Sequence, residues 1–426
     1  MLNFTIVCML ITLIGLGVPV AFAMAISGMV GLYMIGGMSA VAGIVGTSAQ
    51  STVSSYELLT IPMFLLMAEF VLISRIANDL FSAAAAWTGR LRGGLGIATA
   101  IAGAGFAAIC GSSAASAATL SSTSLPEMIK RGYDVSFACG IVAISGTLAM
   151  LIPPSIALVF YALLAETSVG DLLIAAIVPG IFICLTISLT IVVLVTINPS
   201  LAPSATKVPL LERLVLTLKV APVIVLFGLV TGLIYTGVAT PTEASAIGAI
   251  GALLLAIQRR RSFEGLGHAI WNAVRTSCMI GMILIGAHIF GYFFALGQLP
   301  QNLIVWVGEL EVSRWTILIV ILTCYLLMGM ILDQIAILVL TVPLVVPLMI
   351  SLDFDLVWFG ILIIVTAEIG MVTPPMGLNC FIVGKTANRP IMEVFRGTFP
   401  HVIAHILALA VLVAFPALAL WLPSHM

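Results

Sequence analysis

The chain has 426 residues, of which 62% are hydrophobic and only 8% are charged. Soluble domains carry roughly 25% charged residues, so this composition excludes a water-soluble protein and predicts an all-α, polytopic membrane protein. A formal net charge of -1 offers no basic surface to nucleic acid, and the seven cysteines form no CxxC pair that would indicate a zinc site.

About a dozen apolar segments follow one another along the chain. One transmembrane helix needs roughly 20 apolar residues, and the segments are judged against that length. The first starts at Leu2 with no basic residue before it, so we expect a retained transmembrane helix rather than a signal peptide. The second covers residues 22–37. A polar, proline-bearing stretch, residues 198–217, is expected to be a cytoplasmic linker. It separates two similar halves, residues 1–197 and residues 218–426.

One segment of each half, residues 95–125 and residues 315–348, is too long for a single crossing. As single helices they would extend roughly 47 to 51 Å, whereas the hydrocarbon core is about 30 Å thick. Each also contains a short stretch that is less apolar, at Gly111-Ser112-Ser113 and at residues 329–334. We therefore expect two short arms that meet at a polar tip, which is a re-entrant helical hairpin.

The next segment of each half, residues 136–165 and residues 356–384, carries two consecutive prolines. Because proline removes a backbone donor and clashes with the preceding turn, Pro153-Pro154 and Pro374-Pro375 should break these helices. The freed carbonyls are tolerated in a membrane only inside protein or beside water. Two interrupted segments at corresponding positions of two halves indicate the substrate site of a transporter.

Five full crossings and one hairpin give each half an odd number of crossings, so the halves should be inverted repeats. We place Arg259-Arg260-Arg261 in the cytoplasm by the positive-inside rule. Every other basic residue, Arg75 and Lys207 included, then falls at or near the cytoplasmic side, with the single exception of Arg314. Both termini are expected in the periplasm.

Polar residues at the tips and breaks are the candidate ligands. Hydroxyls at the first tip can form hydrogen bonds between closely packed helices. Alternatively, together with freed backbone carbonyls, they can bind a cation or an anionic substrate. The candidate substrate contacts are Ser113, Ser116, Ser155, Asp333, Thr373, Pro375 and Asn379.

Four carboxylates lie inside apolar segments, where a charge is costly and therefore points to a function. Glu243 follows Pro241-Thr242, so we expect it to cap a helix N-terminus. Asp333, at the second tip, is either a ligand or gate, or a structural hydrogen-bonding group. Glu69 and Glu368 carry the same alternatives.

Enzymatic motifs are absent: the sequence has no GxSxG, no HExxH and no complete Walker A motif. We therefore predict that the protein is not an enzyme, has no catalytic residue and no covalent cofactor, and does not itself hydrolyse ATP.

Taken in order, these motifs resemble the large membrane subunit of the TRAP (tripartite ATP-independent periplasmic) transporters, the DctM-like proteins. The resemblance covers nearly the whole chain. The motifs that carry it are Gly111-Ser112-Ser113, Leu125 to Met128 with Arg131-Gly132-Tyr133, Gly146-Thr147-Leu148, Ile152 to Ser155, Ala239 to Ala244, Gly329 to Asp333, Glu368 to Gly370 and Thr373 to Asn379.

The resemblance implies an elevator-type secondary transporter of the bacterial inner membrane that imports a small organic acid, such as a dicarboxylate or a sialic acid, with a Na⁺ gradient. Its partners would be a small DctQ-like membrane subunit and a periplasmic DctP-like substrate-binding protein. A stand-alone Na⁺/carboxylate or ion symporter, without a binding protein, is the alternative.

The resemblance also implies two or more Na⁺ ions, held by hairpin tips and broken helices. This chain has Ala149 where a glycine is usual in the family. One sodium site would use Ser112, Ser113, Ala149, Ile152 and Pro154, and the other would use Gly329, Gly370, Thr373 and Met376.

Overall fold

The computed structural model describes residues 2–74, 76–203, 208–260 and 265–426. Within these ranges the chain forms α-helices joined by short turns and 3₁₀ turns, and it contains no β-strand. The prediction of an all-α protein is thus confirmed. Arg75, Lys207 and Arg261, which contribute to the charge argument, lie outside the described residues, as does the middle of the expected linker.

The described residues of the first half form ten helices. They are α1 (Leu2–Gly15), α2 (Val20–Val53), α3 (Thr60–Ile73), α4 (Ile76–Thr88), α5 (Gly94–Cys110), α6 (Ser113–Lys130), α7 (Val135–Thr147), α8 (Ile156–Ala165), α9 (Val169–Ala175) and α10 (Ile177–Ile197).

Ten more helices follow in the second half. They are α11 (Leu210–Tyr235), α12 (Pro241–Arg260), α13 (Leu266–Leu296), α14 (Leu299–Glu309), α15 (Arg314–Gly329), α16 (Gln334–Ser351), α17 (Leu356–Gly370), α18 (Leu378–Ala387), α19 (Ile391–Ala414) and α20 (Ala417–Leu420).

Seven helices in the described part of the chain are long and apolar enough to cross a membrane, if α9 and α10 count as one. The remaining apolar helices are shorter, at 10–17 residues. Most of them are arms of the segments that the sequence predicts to be interrupted. These spans, with the break positions described next, confirm a polytopic membrane protein.

Both predicted hairpins are interrupted at their tips. The helix stops at Cys110 and resumes at Ser113, and the second pair stops at Gly329 and resumes at Gln334. The arms of the second hairpin fold back on one another, since the hydroxyls of Tyr325 and Thr341, on opposite arms, are 2.5 Å apart. That both hairpins are re-entrant in the membrane stays a prediction.

Both double prolines interrupt their helices, as the sequence predicts. The first break runs from the 3₁₀ turn Leu148–Met150 to Ser155 and contains a cis Pro153-Pro154 bond. The second lies between Gly370 and Leu378 and contains a cis Pro374-Pro375 bond. The breaks therefore leave short backbone stretches without helical hydrogen bonds.

The two halves pack reciprocally, with α2 against α13 and α3 against α12. Small residues make the first contact close: a Cβ at Gly28 would lie 3.0 Å from the Cα of Phe290, and one at Gly286 would lie 2.4 Å from the Ala21 carbonyl oxygen. Glycine is what allows two membrane helices to approach this closely. Reciprocal pairs are what a twofold axis between the halves would produce, and the inverted repeat stays a prediction.

The second segment and the linker differ from the expected elements. The second segment does not end at residue 37, because α2 bends at Gly37, where φ is +67°, and continues to Val53. Residues beyond the bend are rich in Gly, Ser and Thr. Their hydropathy is therefore too low to indicate a membrane helix, although they are helical. The expected linker is shorter than residues 198–217, because α11 begins at Leu210.

Candidate functional site

The first hairpin tip rests on the first broken helix. Gly111 adopts a left-handed φ of +56°, and a Cβ there would lie 3.0 Å from the Cγ1 of Ile156. Ser112 then caps α6, because its hydroxyl accepts a hydrogen bond of 3.4 Å from the Ala115 amide. Glycine is required here both by the backbone angle and by the close neighbour.

The break beneath this tip is closed by Ser155. Its hydroxyl accepts a hydrogen bond of 3.3 Å from the Leu158 amide, and it also donates to the Met150 carbonyl across the double proline. Ala149 lies buried in the 3₁₀ turn before the break. A right-handed 3₁₀ turn is open to any L-residue, so alanine keeps the backbone carbonyl of this position without strain.

The residues of the first predicted sodium site are carried by elements that contact one another. The 3₁₀ turn contacts both α5 and α6. Close by, a Cβ at Gly146 would lie 2.9 Å from the Cβ of Ala117 on α6. Ile152 and Pro154 belong to the break itself, and Ser112 and Ser113 to the tip above it. Whether these residues bind Na⁺ stays a prediction.

The second tip and the second break meet through two glycines. A Cβ at Gly370 would lie 2.6 Å from the Cα of Gly329, so the two backbones are in direct contact. The Gly377 amide donates a hydrogen bond of 3.3 Å to the Met330 carbonyl. This contact brings together two of the four residues of the second predicted sodium site.

The other two residues of that site differ in environment. The Thr373 hydroxyl donates a hydrogen bond of 2.6 Å to the Ile369 carbonyl. Met376 and the neighbouring Pro375 are exposed. Their backbone oxygens lie in the unwound stretch, where freed carbonyls are available to a cation.

One buried hydrogen-bond chain connects the two halves. The Asn379 amide donates to the Ser113 hydroxyl at 2.6 Å, and Ser113 donates to a Glu368 carboxylate oxygen at 3.2 Å. All three side chains are buried. Ser116, one turn after Ser113, is also buried, and its hydroxyl has no hydrogen-bond partner among the described residues. The chain joins the first hairpin to the second broken helix.

Asp333 is the N-cap of α16 and accepts a hydrogen bond of 3.2 Å from the Ile335 amide. It also lines a cavity of about 500 Å³, together with Arg275 of α13 and the stretch Pro19 to Phe22. Asp333 can therefore cap the helix and also bind a ligand, because a carboxylate that caps a helix at the wall of a cavity can still face a bound molecule.

Two other carboxylates have structural partners. Glu243 forms a capping box with Thr240: its carboxylate accepts from the Thr240 amide at 2.8 Å, and its own amide donates to the Thr240 hydroxyl at 3.3 Å. The predicted capping role is confirmed. Glu69 accepts a hydrogen bond of 3.4 Å from the Asn272 amide.

Sequence reasoning missed Gln334, which is completely buried and donates a hydrogen bond of 3.4 Å to the Ile364 carbonyl. The sequence does contain a signal that could have identified this residue. Ser112 and Asp333 both cap the second arm of their hairpin, so Ser113 and Gln334 occupy equivalent first positions. Comparison of the two halves position by position identifies Gln334 as the counterpart of Ser113.

An all-α membrane protein with tip-to-break contacts in both halves has the architecture of a secondary transporter. Residues 7–418 match the family described as "Tripartite ATP-independent periplasmic transporter, DctM component". The chain therefore belongs to this family, whose members are multi-pass transporter permeases of the inner membrane rather than enzymes.

Individual proteins agree with this assignment. The chain is 34% identical over 375 residues to the C4-dicarboxylate TRAP transporter large permease protein DctM of Pseudomonas aeruginosa, covering 88% of this chain and 87% of that protein. It is 31% identical to the ectoine TRAP transporter large permease protein TeaC of Halomonas elongata, covering 97% and 98%. The crystal structure of the YdaH transporter of Alcanivorax borkumensis superposes with a TM-score of 0.63 over 90% of this chain and 88% of that one. At 13% identity, that likeness shows the fold alone.

Proposed function

We propose that the chain is the large permease subunit of a Na⁺-coupled transporter that imports a small organic acid delivered by a periplasmic binding protein. The observation that carries the proposal is the pairing, in both halves, of a polar hairpin tip with a Pro-Pro break. Such pairs place helix N-termini and freed carbonyls together. The N-termini suit a carboxylate, and the carbonyls suit Na⁺.

One basic residue and the names of relatives support a carboxylate substrate. Arg275 lines the same, otherwise mostly apolar, cavity as Asp333, so a positive group is available beside one of the predicted substrate residues. Relatives named for C4-dicarboxylate and for ectoine transport both handle molecules with a carboxylate. A further relative is named for isethionate, a sulfonate, so the feature common to these names is an organic acid group, and we propose a carboxylate for this chain.

The word "tripartite" in the family description supports two partners besides this chain. We propose that they are a small DctQ-like membrane subunit and a DctP-like binding protein, with both termini of this chain in the periplasm. In the elevator mechanism that we propose, the hairpins and broken helices move together, since the Ser113–Glu368 bond ties them across the halves. The reciprocal pairs of α2, α3, α12 and α13 would form the static scaffold.

The test is uptake by proteoliposomes that contain this chain and the small subunit, with the binding protein outside. Radiolabelled C4-dicarboxylate and ectoine are offered separately, with an inward Na⁺ gradient or with K⁺ replacing Na⁺. We expect uptake of one substrate only with both Na⁺ and the binding protein. Uptake that is indifferent to Na⁺ would overturn the coupling, and uptake without the binding protein would favour the stand-alone symporter.

A further inference from the structure

Three buried side-chain oxygens beside the second break have no hydrogen-bond partner among the described residues. They are Oε1 of Glu368, Oδ1 of Asn379 and Oε1 of Gln334. The side chains are 4%, 0% and 0% exposed, so bulk water does not satisfy these oxygens. Buried polar atoms normally have a partner, and three acceptors in one region need an explanation.

Two of the three residues share a hydrogen-bond partner, and the third is bonded to the helix that carries Glu368. Asn379 and Glu368 both bond to Ser113, at 2.6 Å and 3.2 Å. Gln334 bonds to the carbonyl of Ile364, which lies one helical turn before Glu368 on the same face of α17. Since both amide nitrogens point at fixed acceptors, both amide oxygens are left without a donor.

The carboxylate of Glu368 also lacks a positive partner. The ion pairs found in the described part of the chain, Arg131–Glu127 and Arg259–Asp79, do not include it. A single hydroxyl donor compensates only a small part of the free energy that burial of an unpaired ion costs. Ser113, its donor, is the first residue of α6, so the N-terminus of that helix lies beside the carboxylate.

A carboxylate group together with two neutral amide oxygens offers the oxygen ligands that a hard cation prefers. We propose that Glu368, Asn379 and Gln334 bind one monovalent cation, and that in the transport cycle it is Na⁺. This inference rests on the proposed Na⁺ coupling. It adds a side-chain site to the two sites, built largely of backbone oxygens, that the family resemblance implies, and neither of those includes Glu368 or Gln334.

The position of this site gives it a function in coupling. Through Ser113 it touches the second arm of the first hairpin, and through Gln334 the second arm of the other hairpin. The bound cation therefore links both tips to the second broken helix.

The experiment compares Na⁺ binding by the purified full-length wild type, Glu368→Gln and the matched control Glu69→Gln. Glu69 is also a carboxylate within an apolar segment, but it bonds to Asn272 outside the cluster. Equilibrium binding of ²²Na⁺ counts ions per chain, and melting temperatures are recorded across a Na⁺ titration with K⁺ as the balancing ion.

We expect Glu368→Gln to bind one Na⁺ fewer per chain, or to raise the half-saturating Na⁺ concentration by about tenfold or more, as loss of a charge-assisted ligand predicts. Its melting temperature without Na⁺ should equal or exceed that of the wild type, because a buried unpaired charge is gone. Glu69→Gln should keep the wild-type Na⁺ count.

Wild-type Na⁺ stoichiometry and affinity in Glu368→Gln would overturn this site and leave the proposed coupling intact. No Na⁺ binding by the wild type would overturn the coupling and the site with it. Gln334→Met, which retains the length of the side chain but removes its amide oxygen, is a second variant. If Glu368→Gln does not fold, unchanged Na⁺ affinity in Gln334→Met would overturn the three-ligand site.

Discussion

Ser113 and Glu368 lie 255 positions apart in the chain, and the serine hydroxyl donates a hydrogen bond of 3.2 Å to the carboxylate. The serine starts the second arm of the first hairpin, and the glutamate lies one turn before the second break. The bond therefore joins parts of both halves at the place where each half interrupts its helices. It makes the four interrupted segments one cluster rather than two independent pairs.

Replacement of Ser113 by alanine should disturb both ends of this cluster. The Asn379 amide would lose its acceptor and Glu368 its donor, and an unsatisfied buried group costs about 1–3 kcal/mol. We expect a lower melting temperature and a strongly reduced Na⁺-dependent uptake. Ser121→Ala is the matched control, because that buried hydroxyl bonds only to the Ala117 carbonyl of its own helix. Equal effects of the two variants would contradict a special role for Ser113.

The contact between Gly329 and Gly370 should not accept a side chain. A Cβ at Gly370 would meet the backbone of Gly329 at 2.6 Å, and backbone atoms cannot move aside as a flexible side chain can. We expect Gly370→Ala to cost about 1–3 kcal/mol, as overpacking does elsewhere, and to abolish uptake. Gly281→Ala is the control, since a Cβ there meets nothing within 4 Å. Both variants are compared by thermal shift and by uptake. A stable, active Gly370→Ala would show that the glycine contact is dispensable.

Asp333 has two possible roles, and two substitutions separate them. Asn is as good an N-cap as Asp, so Asp333→Asn keeps the cap of α16 and removes only the charge, whereas Asp333→Ala removes both. We expect Asp333→Asn to melt within a few degrees of the wild type but to take up substrate less well. Asp333→Ala should in addition lose about 1 kcal/mol of stability. Full uptake by Asp333→Asn would assign the residue to capping alone.

The sequence predicts the breaks well, because their signals are local. Pro153-Pro154 cannot continue a helix wherever it stands, and Gly111 before a run of serines is a local interruption of an apolar segment. The same holds for the capping box of Thr240 and Glu243, which needs only the spacing of two residues. Helix interruption and helix capping therefore depend on a few neighbouring residues.

The contacts between these elements could not be predicted, because they depend on packing across the chain. Nothing local to Ser113 specifies Glu368 or Asn379 as its partner, and Gly329 gives no sign of Gly370. The continuation of α2 beyond Gly37 was missed for a different reason. Its small polar residues are helical but lower the hydropathy of the segment, so hydropathy does not show it.

Substitution of Glu243 tests whether a carboxylate in an apolar segment can have a purely structural role. Its carboxylate accepts two hydrogen bonds from Thr240, through the amide at 2.8 Å and the hydroxyl at 2.9 Å. We expect Glu243→Ala to lower the melting temperature through loss of the capping box, with no change in the half-saturating Na⁺ concentration for uptake. A shifted Na⁺ dependence in this variant would instead place Glu243 in the coupling machinery.

The inverted repeat predicts that equivalent loops of the two halves face opposite sides of the membrane. Lys130 ends α6, and Ser351 ends α16, so the two exposed positions follow the two hairpins in the same way. In a cysteine-free background, Lys130→Cys should react with a membrane-impermeant maleimide only after the cells are opened. Ser351→Cys should react from the periplasm in intact cells. Labelling of both positions from the same side would contradict the inversion, because a parallel repeat puts both loops on one face.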